Sequence, residues 1–420
     1  MTIRSWLVSG IILLLSLNLK SQSITSPYTS YGIGEITPVS YAHNEAMGGL
    51  GVGLPMVYFV NNRNAAWLPY NIYTTFQVGV KSDLRNYLVE GSDSRSATGS
   101  LEYISFSFPV INNKWGTHVS LSPFSSVNYR VVSSEEVGDA GDFAQTQFTG
   151  SGGLSQLKWS NGFKLYKGLN LGLSATYVFG KLDRQIENLV FAADSTQLSL
   201  FRTGFFEEKN YSDITVTFAF GHRISLSEAK AINYGVTYRL DGRLNGTENV
   251  TLQRRTVSGG LIQSVDVREG EDIGTTLPSQ LNFGVSYQDA NKLDLGIDIS
   301  YGLWGGTDGL DIETKDALSL ILGGTYTPDY KSVNRYLERV IYKFGFAYRQ
   351  LPYIVNAREI NDFGINFGAS FPVSGLSSVD TSFKFGVRGT TDNNLIRESY
   401  FQFILGLTIN DRWFVKRRYD

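Results

Sequence analysis

The chain alternates apolar and polar residues along many short segments. In LDLGIDISY (residues 293–301), five apolar side chains share one face, while the other face carries aspartate, glycine and serine. A period of two predicts half-buried antiparallel β-strands. We expect about fourteen strands, near residues 73–83, 99–110, 115–130, 153–165, 169–184, 208–223, 231–244, 276–288, 291–303, 315–327, 338–350, 361–372, 379–389 and 398–409.

The two faces of these strands indicate their surroundings. The apolar faces are long and end in aromatic residues, and the opposite faces carry glycine, serine, asparagine and charges. Lipid outside and a polar lumen inside require this arrangement, which predicts an all-β transmembrane antiparallel barrel. A soluble all-β domain is the alternative. Ile297 is then expected to face lipid and Asp298 the lumen, so that Asp298→Arg should be tolerated far better than Ile297→Arg.

The connections between strands support the barrel. Turns such as INNK, YKG and DAN are short, and the alternate gaps at 131–152 and 245–274 are long. Bacterial barrels pair short periplasmic turns with long outer loops. One exception on the short side, PDYKSVNRYLER, is predicted to form a small periplasmic helix. We expect the barrel to span residues 72–409, followed by a periplasmic tail over residues 410–420.

The N-terminus predicts export. One early cation, Arg4, precedes an apolar run from Trp6 to Leu19, which is short for a spanning helix and suits a secretory signal. We therefore expect a signal peptide over residues 1–21, with a membrane anchor as the alternative. No cysteine occurs in the chain, so a lipoprotein is excluded. The predicted location is the outer membrane of a Gram-negative cell, as an integral protein in contact with outer-membrane lipid.

Residues 22–71 lack the pattern of strands and are rich in glycine. Gly48, Gly49, Gly51 and Gly53 do not form a phosphate loop, because no strand, turn and helix surround them and no Lys-Ser or Lys-Thr follows. A fourteen-stranded barrel leaves more lumen than its own side chains fill. We therefore predict that residues 22–71 form a hatch, or plug, in the lumen.

The stretch HVSLSPFSSVNY (residues 118–129) alternates like a strand but contains Pro123. Proline donates no hydrogen bond and is confined in sheets to edges, strand starts and bulges. Unbroken alternation would also send Phe124 inward and Ser125 outward, so we expect a bulge that leaves a gap in the wall. The candidate ligand-binding or gating residues are Ser122, Pro123, Phe124, Ser125, Ser126 and Asn128. The alternative is a bulge near the rim without function.

Several motifs resemble a known family. AMGGLGVGL followed by NNRNAAWLPY is similar to the N-terminal hatch of FadL-type (long-chain fatty-acid transporter) barrels, which show a Gly-Gly-x-Gly run and an Asn-Pro-Ala element. Here that element begins Asn64-Ala65 and lacks the proline. SPYTSYGIGE, residues 348–373 and LGLTINDRWFVKRRYD resemble the Bacteroidota branch of the family. The resemblance spans the hatch and all fourteen strands.

The resemblance implies a monomeric barrel that takes up hydrophobic small molecules and releases them into the membrane. In this family the ligand leaves through a lateral gap at a kink in the third strand, where Pro123 lies in this chain. The leading hypothesis is therefore passive transport of a hydrophobic ligand. The alternative is an accessory barrel that binds a protein partner in outer-membrane secretion or assembly machinery. A general aqueous porin is disfavoured by the predicted hatch.

Other classes of function find little support. The three histidines, His43, His118 and His222, are isolated in the sequence, and no metal-ligand spacing or G-x-S-x-G element accompanies them. We predict no enzyme activity, no cofactor and no metal. A net charge of -2 without a basic stripe argues against nucleic-acid binding.

Overall fold

The computed structural model describes residues 26–37, 40–89, 92–137, 141–194, 196–310 and 312–413. The predicted signal peptide (1–21), the first residues of the hatch and the end of the predicted tail (414–420) lie outside the described residues. Those boundaries stay predictions.

The fold is a closed antiparallel barrel of fourteen strands, three of which contain a short break. The strands are β1 (Thr74–Val89), β2 (Ser92–Ile111), β3 (Trp115–Ser126 and Tyr129–Glu136), β4 (Phe143–Tyr166), β5 (Leu169–Phe191), β6 (Phe201–Ser225), β7 (Lys230–Arg239 and Gly242–Thr256), β8 (Leu261–Leu277 and Gln280–Asp289), β9 (Leu293–Gly302), β10 (Ala317–Tyr326), β11 (Ile341–Val355), β12 (Arg358–Ser374), β13 (Ser377–Arg388) and β14 (Arg397–Asp411). Strand β14 pairs with β1 and closes the ring. Each predicted strand matches one observed strand, which confirms the predicted fold class.

The strands differ strongly in length. Strands β4 to β6 contain 24, 23 and 25 residues, whereas β9 and β10 contain 10 each. Most of the predicted loops at 131–152 and 245–274 continue the strands instead, because Tyr129–Glu136 pairs with β4 and Gly242–Thr256 pairs with Leu261–Leu277. We call the part of β3 to β8 that extends beyond the shorter strands, including residues 129–136 and 245–274, the wall. The end of the barrel that carries the wall is the loop end, and the opposite end is the turn end.

Side chains alternate between the two faces of the barrel as predicted. Ile297 is 48% exposed on the outer face, and its neighbour Asp298 is fully buried inside. Phenylalanine rings form a stacked patch on the outside of β12 to β14, with centroids 4.8–6.3 Å apart between Phe367, Phe383, Phe385, Phe401 and Phe403. This exterior suits a lipid environment.

Residues 26–37 and 40–71 lie inside the barrel and form the described part of the hatch. Its arm, residues 26–37, contains a short 3₁₀ helix (Pro27–Ser30) and a two-residue strand (Glu35–Ile36). Its plug, residues 40–71, contains a helical turn (Ala42–Glu45) and a 3₁₀ helix (Ala65–Tyr70). Another 3₁₀ turn, Tyr336–Arg339, lies where a small helix was predicted at the turn end. Within the described part of the chain, no helix combines the length and apolarity needed to cross a bilayer.

Candidate functional site

A girdle of inward-facing glycines surrounds the plug. A Cβ on any of these glycines would come within 2.1–3.0 Å of a plug atom, closer than real Cβ contacts allow. The girdle consists of Gly116, Gly162, Gly172, Gly221, Gly235, Gly284, Gly296, Gly323, Gly345, Gly368 and Gly406. Many are direct cross-strand partners, as in the row from Gly221 through Gly235 to Gly284. The inner surface of the barrel therefore lacks side chains at the level where the plug packs against it.

The predicted glycine run of the plug is part of the same fit. A Cβ on Gly53 would lie 2.5 Å from the carbonyl carbon of Gly284, and one on Gly48 would lie 3.0 Å from the carbonyl oxygen of Phe346. Gly48 and Gly49 have φ of +76° and +97°, where L side chains are strained. The run therefore serves to dock the plug.

Asp298 of β9 anchors the glycine run of the plug to the barrel. Its carboxylate accepts hydrogen bonds from the backbone N–H groups of Gly51 and Val52 at 2.8 Å and of Gly53 at 3.3 Å. The predicted inward direction of Asp298 is right, but the expected tolerance to Asp298→Arg is unsupported. An arginine there would replace the acceptor of three buried N–H groups with more donors.

The second predicted element, Asn64 and Ala65, stabilises the plug internally. The Asn64 side chain accepts from Ala66 N–H at 2.9 Å, which caps the 3₁₀ helix, and donates to the carbonyl of Val52 at 2.8 Å. The carbonyl oxygen of Ala65 lies at the girdle, 2.1 Å from where a Cβ of Gly162 would be.

Charged contacts add to the docking of the plug. Glu45 pairs with Lys384 of β13 at 3.4 Å, and its backbone carbonyl accepts from Asn366 at 2.7 Å. Burial would raise the pKa of Glu45, but the charges of Lys384 and Arg349 lower it to about 2. The carboxylate is therefore ionised in place.

The barrel wall has a seam between β2 and β3. The two strands pair only from Ile111 and Trp115 at the turn end up to Ile104 and Leu121. Beyond that point, residues 92–103 pair only with β1, and β3 pairs on its other side with β4. Among the described residues, two backbone edges are thus left without a neighbouring barrel strand.

The seam opens within the apolar exterior. Leu101, on the β2 edge of the seam, pairs with Val80 of β1, and both side chains are about half exposed on the outer face. Leu121, where pairing stops on β3, is 42% exposed. The seam therefore faces the belt that lipid would cover.

The predicted bulge lies at the start of the seam. Pro123 pairs with Ser155 and Ser125 with Leu154, so Phe124 is the extra residue. Phe124 points inward and is 5% exposed, packed in an apolar cluster with Ile33 and Val127. Its predicted role as a gate or ligand contact is not tested by this packing. The hydroxyl of Ser122 is buried and has no hydrogen-bond partner among the described residues.

The arm covers the free edge of β3 from inside. Thr37 N–H donates to the carbonyl of Phe124 at 2.9 Å, and Ile36 and Glu35 pair with Ser125 and Ser126. Further contacts come from the candidate residues themselves: Ser125 Oγ donates to the Ile33 carbonyl at 2.7 Å, and Asn128 N–H donates to Thr29 Oγ1 at 3.1 Å. The structure therefore brings the six predicted residues together beside the arm.

An ion network holds the arm, and sequence reasoning missed it. Glu35 contacts Arg388 at 2.8 Å and Arg85 at 3.1 Å, and both arginines also contact Glu398. Burial would raise the pKa of Glu35, but Arg388 and Arg85 hold it well below its ordinary value. The only sequence signal was the presence of arginine on the polar faces of β1 and β13.

A cavity of about 540 Å³ lies between the arm, the plug and the barrel wall. It reaches the seam, since Gly99 and Glu102 of β2 and Pro123 and Asn128 of β3 line it. Among the residues that the structure describes, no group of three or more histidine, aspartate or glutamate side chains is placed to hold a metal ion.

Comparison with known proteins gives one family and several structural neighbours. The family model described as BamG matches residues 2–420. The toluene transporters TbuX of Ralstonia pickettii and TodX of Pseudomonas putida are 14% and 15% identical, each with a TM-score of 0.58 over 90% of this chain and 99% of theirs. A FadL homologue of Pseudomonas aeruginosa is 13% identical, with a TM-score of 0.56 over 90% of this chain and 100% of that chain. No curated protein matches the sequence. At these identities the neighbours establish the fold alone.

Proposed function

Since the chain belongs to the BamG family and has the fold of FadL-type channels, we propose that it is an outer-membrane channel that passes hydrophobic small molecules and releases them sideways through the seam. The observation that carries this proposal is the seam itself. Unpaired strand edges are costly where lipid surrounds them, so natural barrels close their walls. An edge left open within the apolar belt, and joined to an internal cavity, suits a lateral exit.

The arm is the gate of this exit. It occupies the free edge of β3 with a two-residue pairing, and a ligand that leaves the cavity through the seam must displace it. A passive route of this kind lets an apolar solute enter the membrane from the side without crossing the aqueous compartment.

A disulfide lock tests the gate. Ile36 and Ser125 are direct cross-strand partners, at a spacing that suits a disulfide, and the chain contains no other cysteine. In Ile36→Cys/Ser125→Cys, we expect toluene uptake by intact cells to fall to the level of cells lacking the protein, and to return on reduction.

The control is a lock between two barrel strands that are fully paired with each other. Thr381→Cys/Leu405→Cys joins β13 to β14 and should leave uptake unchanged in either redox state. Normal uptake by the oxidised 36–125 variant would exclude the lateral exit.

A second function, as an accessory barrel that binds a protein partner in secretion or assembly machinery, is favoured by the wall. Leu261 and Ile262 point to opposite faces of β8, yet they are 59% and 48% exposed, so both faces of the wall are open there. Exposed apolar surface of this kind often marks protein contacts. A partner that co-purifies stoichiometrically, and is lost with Leu261→Asp/Ile262→Asp while uptake is unchanged, would favour this role.

We also propose a monomeric barrel in the outer membrane, of the Bacteroidota branch, with the loop end outside and the turn end in the periplasm. Gly259 and Gly375 lie at opposite ends of the barrel, and nothing lies within 4 Å of a Cβ at either position. An epitope inserted at Gly259 should be labelled on intact cells and one at Gly375 should not. Labelling at Gly375 alone would reverse the orientation.

A further inference from the structure

Cations outnumber carboxylates among the side chains that line the cavity. Seven lysine and arginine side chains line it, against five carboxylates, and Glu398 behind this lining contacts two of the cations. Four of the cations contact a carboxylate, namely Lys81, Arg85, Lys384 and Arg388. The other three, Arg63, Arg239 and Arg349, have no carboxylate oxygen within 4.0 Å in the described part of the chain.

Two of these three arginines, Arg63 and Arg239, have incomplete hydrogen bonding. Arg349 donates to the carbonyl of Gly48 and Arg239 to that of Pro278, both at 3.0 Å. The Nε atoms of Arg63 and Arg239 are buried without a hydrogen-bond partner among the described residues. A buried cation without a counter-ion is costly, because it loses hydration that nothing replaces.

The nearest carboxylates are already engaged. Glu45 is held by Lys384, and the oxygens of Asp298 accept three backbone N–H groups. Among the described residues, the carboxylates that act on Arg63 and Arg349 therefore already have other partners.

Arg63 and Arg349 lie over the same short stretch of the plug. A Cβ on Gly51 would be 2.9 Å from Arg63 Cγ, and one on Gly49 would be 3.4 Å from Arg349 Nη2. The two guanidinium groups are close enough to repel each other. Glycine at these positions leaves room for both side chains, so Arg63 of the plug and Arg349 of β11 both face the cavity.

The same cavity has an apolar part. Trp304, Ile321, Leu351 and Tyr353 line it, and Trp304 and Tyr353 belong to the apolar cluster toward the loop end. A cavity with both parts fits an amphiphile better than a purely apolar solute or a free ion.

We propose that the cavity binds an amphiphile whose phosphate headgroup is held by Arg63 and Arg349, with Arg239 adding to the positive electrostatic potential. This proposal rests on the proposed channel function and names its class of ligand. A phosphate monoester carries a charge of about -1.5 to -2 with three acceptor oxygens, and so can accept hydrogen bonds from both guanidinium groups. A carboxylate supplies only one negative charge. Guanidinium groups bind phosphate oxygens in bidentate geometry.

Calorimetry on the purified barrel in dodecyl maltoside tests this class, with octyl phosphate, octanoate and inorganic phosphate as probes. We expect one molecule of octyl phosphate to bind per barrel, about tenfold more tightly than octanoate. Inorganic phosphate should bind more weakly than octyl phosphate, since it lacks the apolar tail. Octanoate that binds as tightly as octyl phosphate would overturn the phosphate assignment, and tight binding of inorganic phosphate would show a free-ion site instead of an amphiphile site.

Two variants test the residues. Arg63→Gln and Arg349→Gln should each weaken octyl phosphate binding about tenfold, the loss expected for charge-assisted hydrogen bonds. Arg254→Gln is the matched control, because Arg254 stacks on Phe201 in the wall and lies away from the cavity. Unchanged binding in both variants, with a folded barrel by heat-dependent gel migration, would overturn the site.

This test is separable from the test of the channel. Octyl phosphate should still bind to the oxidised Ile36→Cys/Ser125→Cys protein if it enters from the loop end. The oxidised Ile36→Cys/Ser125→Cys protein could bind octyl phosphate and still show normal toluene uptake. That result would support the headgroup site and exclude the lateral exit. Normal uptake in a barrel that fails to bind octyl phosphate would do the reverse.

Discussion

The plug and the arm occupy the same lumen but are held in different ways. The plug meets the girdle at eleven glycines, at seven of them through its own backbone, and Asp298 secures its glycine run. The arm meets the barrel through a two-residue strand pairing, a few hydrogen bonds and the ion pairs of Glu35. Close steric fit over a large surface resists partial movement, whereas a few polar contacts can break and reform. The comparison therefore indicates a fixed plug and a movable arm.

The largest effect should follow a side chain placed in the girdle. In Gly284→Leu the Cβ alone would lie 2.4 Å from Gly53 N and 2.2 Å from Asp298 Oδ1, so the plug cannot dock in its present position. We expect residues 40–71 to become sensitive to trypsin and the single-channel conductance to rise. Gly242→Leu is the control, because the nearest atom to its Cβ is 4.0 Å away. A protease-resistant plug in Gly284→Leu would mean that the girdle is not what holds it.

The next effect should come from Asp298→Asn. The amide keeps the shape but loses the charge and one acceptor atom, at a cost of about 2–3 kcal/mol in plug docking. Deuterium exchange of the amides of residues 51–53 should accelerate, with little change in the arm. Asp316→Asn, in an exposed loop, is the control variant with which the exchange rates are compared. Faster exchange in the arm than in the plug would contradict the separation of the two parts.

Most of the barrel was predictable from sequence, and the reason is its period of two. The alternation placed Ile297 outside and Asp298 inside, as observed. The wall was mistaken for loops because both faces are exposed over much of residues 130–136 and 261–271, so these strands lack a buried apolar face. The bulge at Pro123 followed from the missing N–H and the phase of the neighbouring residues.

The candidate site was only partly predictable. The girdle is visible in the sequence as one inward glycine on most strands, but its common level depends on the register between strands, which sequence does not give. The two-residue pairing of the arm has no periodicity to detect. Glu35 contacts Arg85 and Arg388, which lie at least 50 positions away in the sequence, and no local sequence pattern predicts such contacts.

A smaller effect is expected from Glu35→Gln. Glutamine keeps an acceptor but loses the charge, while Arg85 and Arg388 keep their other carboxylates, so the docking of the arm should weaken by about 1–2 kcal/mol. Deuterium exchange should accelerate in residues 26–37 and stay unchanged in the plug. Glu338→Gln at the turn end is the matched control. Equal acceleration in arm and plug would mean that they move as one body.

The smallest effect is expected from mild acid. The pKa of Glu35 is well below its ordinary value of 4.5, so its contribution to docking is complete above that value and is lost only as the pH falls through the lower, folded-state pKa. Lowering the pH from 7 to about 5 should therefore leave the protection of the arm amides unchanged, once exchange is compared with the intrinsic rate at each pH. Release of the arm within this range would assign its docking to another group.

The connection between plug and barrel is very short. The plug ends at Asn71, and β1 begins at Thr74 at the turn end. Such a tether keeps a detached plug at an effective concentration of about millimolar at the barrel mouth, so undocking is followed by return instead of escape. The arm lies more than thirty residues from this anchor, at the N-terminal end of the hatch. The plug is thus tethered directly to the barrel, whereas the arm is connected to the barrel only through the plug.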